Sequence, residues 1–260
     1  MSEEGCLRNI VIVIPAYQPT EELLALIQEL NGMGALHIVV VNDGSTSSEH
    51  IFNELRNAAQ CAIVEHAVNQ GKGRALKTGF NYCLVHHRDA LGVVTADGDG
   101  QHAPGDIRRV AEELTRNPKR MVLGTRKFAG SIPFRSLIGN RLTKLVLRTV
   151  TGLKVTDSQT GLRALPMTVL PSLMRLEGEQ FECEMNMLLA AYNMKVCLVE
   201  VPIETIYLNG NNSWHVNPFF DSMRIYFVLL RFLLSSLSTS MIDQLVFLYR
   251  STQERAWGGA

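Results

Sequence analysis

This 260-residue chain has no surplus of either charge, no paired cysteines and no apolar run of membrane-spanning length. Lysine plus arginine and aspartate plus glutamate both number 25, so the formal net charge is zero. A general nucleic-acid binder carries a basic excess, so that class is excluded for the surface as a whole, though a local basic patch is not. The five cysteines, Cys6, Cys61, Cys83, Cys183 and Cys197, lie far apart without a CxxC. An odd, scattered set reads as reduced thiols of a cytosolic compartment, and as buried fillers rather than nucleophiles. No uninterrupted apolar stretch approaches the roughly 18–20 residues of a spanning helix. The acidic start Met1-Ser2-Glu3-Glu4 precedes only a six-residue apolar strand, so no signal peptide is expected. Internal repeats, low-complexity tracts and Pro/Ser-rich linkers are absent as well. What remains is a chain 46% hydrophobic and 19% charged. That composition supports a sizeable core and excludes disordered and collagen-like classes. The length suits one large domain, or one domain with a short extension.

The first half alternates apolar runs with amphipathic stretches. Residues 9–14, 36–41, 62–64, 91–96 and 121–124 read as strands, and 20–30, 47–59, 71–85 and 104–117 as helices, with Thr20 a cap for the first of these. Continuous apolar strands separated by helices predict βαβ units: an α/β fold with a mostly parallel sheet covered on both faces. Ligands of such sheets sit beyond the carboxyl ends of the strands. The unusual polar residues fall at those ends: Pro15-Ala16-Tyr17, Asn42-Asp43-Gly44-Ser45, Asp97-Gly98-Asp99 and Gly124-Thr125-Arg126. The second half has a basic amphipathic helix over 134–150, a loop over 156–163, a helix over 181–193 and a strand over 196–201. Residues 219–249 are dominated by Leu, Phe, Ile and Val.

Asp97-Gly98-Asp99-Gly100-Gln101 alternates two carboxylates and an amide oxygen directly after a strand. In extended geometry 97, 99 and 101 point the same way. Such hard ligands suit Mg²⁺ or Mn²⁺ shared with substrate phosphates, and the competing reading is a glycine-rich acidic turn. Asn69-Gln70-Gly71-Lys72-Gly73 joins a strand to a helix, where backbone amides and Lys72 suit an anion. It is neither a P-loop nor the dinucleotide fingerprint, and a plain basic helix start is the alternative. Asp43 suits the imide N–H of a uracil, but Asn-Asp-Gly standing alone is ordinary turn chemistry. Arg126, Arg135 and Arg141 suit a phosphate, against the alternative of a solvated basic face. His86 and His87, at a helix end, read as exposed rather than as metal ligands. Trp214 and His215 suit a lipid headgroup level or a plain surface loop.

Taken in order, these motifs resemble the family 2 glycosyltransferases with a GT-A, Rossmann-like fold. Within that family the chain is similar to the polyprenyl-phosphate sugar synthases: the dolichol-phosphate-mannose synthases and, more closely, the bactoprenol glucosyltransferases. The resemblance covers roughly residues 8–235 and rests on Val13-Ile14-Pro15-Ala16-Tyr17, Val41-Asn42-Asp43-Gly44-Ser45 and Asn69-Gln70-Gly71-Lys72-Gly73. It rests equally on Asp97-Gly98-Asp99-Gly100-Gln101-His102, Gly124-Thr125-Arg126 and Asp157-Ser158-Gln159-Thr160-Gly161-Leu162-Arg163. It implies that Pro15, Ala16, Tyr17 and Asp43 hold the nucleoside, and that Asn69, Gly71, Lys72, Asp97 and Gly98 lie at the nucleotide. It implies a divalent metal on Asp97, Asp99 and Gln101, with Arg126, Arg135 and Arg141 at the acceptor phosphate. Asp157, Arg126 and Asp99 are the expected catalytic residues, with Asp157 either a base or an orienting group. Two departures stand out. Many members have Asn-Glu where this chain has Tyr17-Gln18, and the mannose synthases carry a basic residue near the neutral stretch Ile206-Tyr207-Leu208-Asn209.

The expected function is therefore transfer of a hexose, with inversion, from a UDP-sugar such as UDP-glucose to undecaprenyl phosphate. The alternatives are a sugar hydroxyl as acceptor, or a non-catalytic membrane-docked scaffold of the same fold. The expected division is a transferase domain over 8–210 and an apolar helical segment over 211–250. That segment either lies in the interface at the cytoplasmic face of the inner membrane, with Arg224 and Arg231 at headgroup level, or closes the core. Residues 231–247 also weakly resemble the opening of small multi-helix membrane proteins that accompany these transferases, so such a protein is an expected partner.

Overall fold

A computed structural model describes residues 7–35, 37–58, 61–126, 144, 147–149, 151–204, 223, 224, 226–228, 230–232 and 234. The expected helix over 134–150, with Arg135 and Arg141, lies almost wholly outside the described residues. So do Trp214, His215 and most of the expected C-terminal segment.

Strands β1 (Ile10–Ala16), β2 (His37–Asn42), β3 (Ala62–Glu65), β4 (Gly92–Thr95), β5 (Met121–Arg126), β6 (Arg163–Pro166) and β7 (Leu198–Ile203) form one sheet in the order β3-β2-β1-β4-β6-β5-β7. The helices are α1 (Glu21–Gly32), α2 (Glu49–Ala58), α3 (Lys72–His86), α4 (Pro104–Arg116), the single turn α5 (Leu170–Leu173) and α6 (Glu182–Asn193). All strand pairs are parallel except those of β6, which runs antiparallel to both β4 and β5. The sheet is thus mostly parallel, as its apolar strands predict.

Strand alternation splits the core into two layers. Ile10, Ile12 and Ile14 of β1, with Ile38 and Val40 of β2, face one side. There they meet α1 through Leu23, Leu26, Ile27 and Leu30, α2 through Ile51, Phe52 and Leu55, and α4 through Ile107, Val110 and Leu114. Val11, Val13, Val39 and Val41 face the other side, against Leu76, Phe80 and Cys83 of α3 and Met185, Met187 and Leu188 of α6. The apolar residues of α1 recur at the 3–4 spacing of one helical face, which is why that face is the buried one. Thr20 does sit at the N-cap, but its side chain makes no capping bond. Its hydroxyl turns to Glu22 instead, and its carbonyl accepts from Leu23 N–H at 3.1 Å.

Besides shifts of a residue or two at other ends, such as β5 running on to Arg126 and α2 starting at Glu49, two elements differ from the sequence reading. β6 falls where a loop gives way to unassigned chain. Four residues that open on an arginine and end on a proline carry no detectable period, and pairing with β4 and β5 makes them a strand. The last strand starts two residues later than expected, after Lys195 at φ +56 turns the chain. β7 lies at the sheet edge, where Pro202 removes no ladder hydrogen bond that an interior strand would need.

Candidate active site

The loops after β1, β2 and β4 and the carboxyl end of β5 converge at one end of the sheet, and a further segment, 156–163, leads back into it through β6. Asp97 and Asp99 follow β4. The expected extended run is replaced by a turn, with Gly100 at φ +79. Gln101 consequently folds back: its N–H donates to Asp99 Oδ1 at 3.1 Å and its side-chain amide to Asp99 Oδ2 at 2.8 Å. His102, buried beneath, accepts the Asp97 N–H on Nδ1 at 3.0 Å, and its Nε2 lies 4.0 Å from Asp97 Oδ2. Gly161 lies so close that a Cβ there would sit 2.5 Å from Asp97 Oδ2.

Lys72, the first residue of α3, reaches across to this loop. Its Nζ is 2.7 Å from Asp97 Oδ1 and 3.0 Å from Glu184 Oε1 on α6, and 5.5 Å above the Phe181 ring. Burial alone would raise the Asp97 pKa, but Lys72 and, less strongly, His102 pull it down to about 2. Burial likewise opposes the charge on Lys72, yet Asp97 and Glu184 outweigh it and push its pKa above the ordinary lysine range. Asp99 goes the other way: burial, and then the Asp97 charge, hold it above the ordinary carboxylate range.

Asp43 is 3% exposed, and its contacts are with its own chain. Oδ1 accepts from His66 Nδ1 at 2.6 Å and Gln70 N–H at 2.8 Å, and Oδ2 accepts from Gly71 N–H at 2.8 Å. His66 Nε2 lies 2.9 Å from Thr78 Oγ1. The anion met by these two amides of the Gly71 loop is therefore the Asp43 carboxylate. The glycines of this loop also admit close packing. A Cβ at Gly71 would meet Gln180, and one at Gly73 would lie 2.6 Å from Cys183 Cβ.

Arg126 closes β5 and grips Asp157 with two bonds, Nε to Oδ2 at 2.7 Å and an Nη2 to Oδ1 at 3.3 Å. Asp157 is fully buried, and its Oδ1 also accepts the Gln159 N–H at 3.0 Å. Arg126 adds to the positive field at Asp97, so both pairs share one cleft.

The structure thus gathers Asp43, Gly71, Lys72, Asp97, Gly98, Asp99, Gln101, Arg126 and Asp157 at the strand ends, with Pro15, Ala16 and Tyr17 at the end of β1 and Asn69 exposed beside the Gly71 loop. Sequence reasoning missed four structural contributors. Gln18, at φ +49, has its N–H on Ser45 Oγ at 2.9 Å and its Oε1 on Ser47 N–H at 2.9 Å, so it ties the β1 loop to the β2 loop. Lys77 is buried and donates to Leu176 O at 2.7 Å and Gly178 O at 2.8 Å. Arg163 is 1% exposed and donates to the carbonyls of Thr160, Glu184 and Ser158, which joins the 158–160 loop to α6. Glu184 is the fourth. For Lys77, Arg163 and Glu184 the available signal was a charge among apolar neighbours, because such a residue stays buried only when partnered, and Gln18 carried no such signal.

A divalent cation fits this donor set in one way. Among the described residues no group of three or more His, Cys, Asp and Glu side chains could hold a metal ion. Asp97 and Asp99 are nevertheless hard oxygen donors, and Asp97 already has a cation, the Lys72 ammonium, on one oxygen. A resident ion caged by protein does not fit, whereas an ion shared with a diphosphate does.

The family model for glycosyl transferase family 2 matches residues 11–169. The UDP-N-acetylglucosamine–dolichyl-phosphate N-acetylglucosaminyltransferase of Methanococcus voltae is 31% identical over 217 residues, spanning 76% of this chain and 86% of that protein. The polyprenol monophosphomannose synthase of Mycolicibacterium smegmatis is 25% identical over 206 residues, 75% of this chain and 77% of that one. Among solved structures, glucosyl-3-phosphoglycerate synthase from Mycobacterium tuberculosis, in complex with Mn²⁺, UDP and glucosyl-3-phosphoglycerate, superimposes with a TM-score of 0.69 at 18% identity. That alignment covers 89% of this chain and 82% of that one, and at such identity the likeness is one of fold. The chain belongs to glycosyl transferase family 2, is an enzyme that transfers sugar, and has the GT-A fold.

Proposed function

We propose that this enzyme moves a hexose from a UDP-sugar, UDP-glucose or a relative of it, to the phosphate of a polyprenol such as undecaprenyl phosphate, with inversion at the anomeric carbon. The observation that carries the reading is the Arg126–Asp157 pair. A carboxylate that is fully buried and held by two guanidinium bonds is a clamp for a cation and a poor candidate for a free base. A hydroxyl acceptor needs such a base. A phosphate monoester does not, because its second pKa of about 6 leaves it largely dianionic at neutral pH. What it needs is a fixed cation that brings it beside a second anion without repulsion, and Arg126, oriented by Asp157, has that character. The relatives whose names specify dolichyl-phosphate and polyprenol substrates support the same acceptor class.

In this reading Pro15, Ala16, Tyr17 and Asp43 border the nucleoside, and Asn69, Gly71, Lys72 and Gly98 border the diphosphate. Asp97, Asp99 and Gln101 hold Mg²⁺ or Mn²⁺, which offsets charge on the leaving nucleoside diphosphate. Arg135 and Arg141 join Arg126 at the acceptor.

The division into a transferase domain, 8–210, and a membrane-associating segment, 211–250, belongs to the same proposal, as does a peripheral site at the cytoplasmic face of the inner membrane. Among the described residues no helix is long and apolar enough to cross a membrane. Met223, Phe227, Leu230 and Leu234 recur at helical spacing, and each is more than half exposed. Tyr226, Val228 and Phe232 pack on the core from the same segment. An apolar stripe of this kind supports an interfacial docking face for a lipid-borne acceptor.

The test is incubation of the purified protein with a panel of radiolabelled nucleotide sugars and undecaprenyl phosphate in Mg²⁺ or Mn²⁺, followed by extraction of the lipid. Label from a UDP-hexose should reach the lipid. If no donor labels the lipid while metal is saturating, the reading fails.

A further inference from the structure

The cluster of Lys72, Asp97 and Glu184 puts one cation between two carboxylates. Lys72 and Asp97 follow from the expected donor site, and Glu184 has no part in it. Glu184 is 7% exposed, lies in the first turn of α6 and pairs with Lys72 at 3.0 Å. Its backbone carbonyl accepts from Arg163 Nη1 at 2.5 Å, so the residue is fixed by its main chain as well as by its charge. A buried carboxylate has to be compensated, and Lys72 compensates two at once. Lys72 therefore meets Asp97 in the geometry that a divalent ion on Asp97 would contest.

We propose that Glu184 is a positioning residue of the donor site: it receives Lys72 when a divalent cation claims Asp97, and holds the ammonium in reach of the donor diphosphate. The inference rests on the donor-site reading given above. Lys72 divides its donors between Asp97 Oδ1 and Glu184 Oε1, so a second cation on that Asp97 oxygen has to compete with the ammonium. A diphosphate offers Lys72 a replacement anion and offers the cation further oxygens. Nucleotide and metal thus relieve the same contact, and each makes room for the other. Without Glu184 the ammonium would be left wholly on Asp97, and the metal would have to displace it with no carboxylate to take it up. The Phe181 ring, 5.5 Å from Nζ, adds a further favourable contact for the ammonium beside Glu184.

The opposed signs of two variants make the test. Mn²⁺ binding is followed by the electron paramagnetic resonance signal of free Mn²⁺, with and without UDP, for the wild type, Lys72→Met, Glu184→Gln and Arg74→Gln. Arg74→Gln removes one positive charge two residues along α3, from a half-exposed ion pair with Glu179, and so measures the effect of net charge alone. Wild type should bind Mn²⁺ weakly alone and tightly with UDP. Lys72→Met should bind Mn²⁺ alone about tenfold tighter than wild type, and gain less from UDP. Glu184→Gln should bind Mn²⁺ alone more weakly than wild type, and regain affinity when UDP is added. Arg74→Gln should match wild type.

Equal Mn²⁺ affinities for wild type, Lys72→Met and Glu184→Gln, with UDP still tightening Mn²⁺ in all of them, overturn the role of Glu184 and leave the donor site standing. An equal gain in Arg74→Gln and Lys72→Met reduces the effect to net charge and overturns it too. Failure of wild type to bind Mn²⁺ even with UDP overturns the donor-site reading and this inference together. Should Lys72→Met not fold, a structure of the wild type with Mn²⁺ and UDP decides. Nζ should then leave Asp97 while keeping Glu184, and retention of the Asp97 contact overturns the proposal.

Discussion

The two acidic sites of the cleft are built differently. Asp97 is about a quarter exposed and is paired with a lysine, a compact point charge on a flexible stem that it shares with Glu184. Asp157 is fully buried and held by the planar fork of an arginine. The first arrangement can exchange partners, and the second is fixed. In the proposed reading the donor side uses a carboxylate that gives up one cation for another, and the acceptor side a guanidinium whose direction does not drift. That assignment of each pairing to a task can be broken by experiment.

The largest effect falls on the exchangeable side. Asp99→Ala should lower turnover by about 10³-fold, because it removes one of the two carboxylates that would hold the cation opposing the diphosphate charge in a partly desolvated site. EDTA should abolish native activity reversibly. Steady-state transfer assays check both, and full activity in EDTA removes the metal from this reading. The fixed side comes next. Arg126→Ala should reduce kcat by about 10²-fold and cost about 3 kcal/mol in stability, since it strands a buried carboxylate. Asp157→Asn keeps an acceptor for Arg126 and should cost only about tenfold. A greater loss for Asp157→Asn, with a rate that titrates on one acid, would restore a base role and a hydroxyl acceptor.

A third substitution tests how tightly Asp97 is placed. Gly161→Ala puts a methyl group 2.5 Å from Asp97 Oδ2 and 2.9 Å from Oδ1, so the carboxylate has to turn away. Activity should fall about tenfold and the metal KM should rise, while the melting temperature changes little. Unchanged metal dependence would show that Asp97 has room to spare.

The smallest functional effect concerns acid. The folded pKa of Asp97 lies below its unfolded value, so its pairing stabilises the protein above the ordinary carboxylate range. That contribution is lost as pH falls through about 2. For Lys72 the sign is reversed: the raised pKa stabilises below the ordinary lysine range and is lost only in strong alkali. The stability gap between wild type and Asp97→Asn should be about 2 kcal/mol near neutrality and should close between pH about 4 and about 2. Denaturant titrations across that range measure it, and a gap independent of pH would mean that Lys72 does not stabilise the carboxylate.

The sequence by itself determined the frame of this protein. Runs such as Ile10–Ile14 and Ile38–Val41, short, β-branched and apolar at every position, read as strands buried on both faces, and the helices between them make parallel crossovers. The polar residues after Ala16, Val41, Ala96 and Gly124 then had to gather at one end, because strand direction puts them there. Local pattern carries that much because each element's own periodicity is enough to bury it. Only the tertiary structure decided the rest. β6 is a strand because β4 and β5 offer it ladders on both sides, which no four-residue window records. The glycines of the 69–73 loop, which suit an anion in the sequence, also admit Glu179, Gln180 and Cys183 at close range, and Asp43 takes the amides of residues 70 and 71. Glu184 partners the Lys72 ammonium of another element, and Arg163 donates to the carbonyls of Thr160, Ser158 and Glu184. Buried charge is a pairwise property, and its partners lie up to 112 positions apart in Lys72 and Glu184, a separation that sequence spacing does not encode.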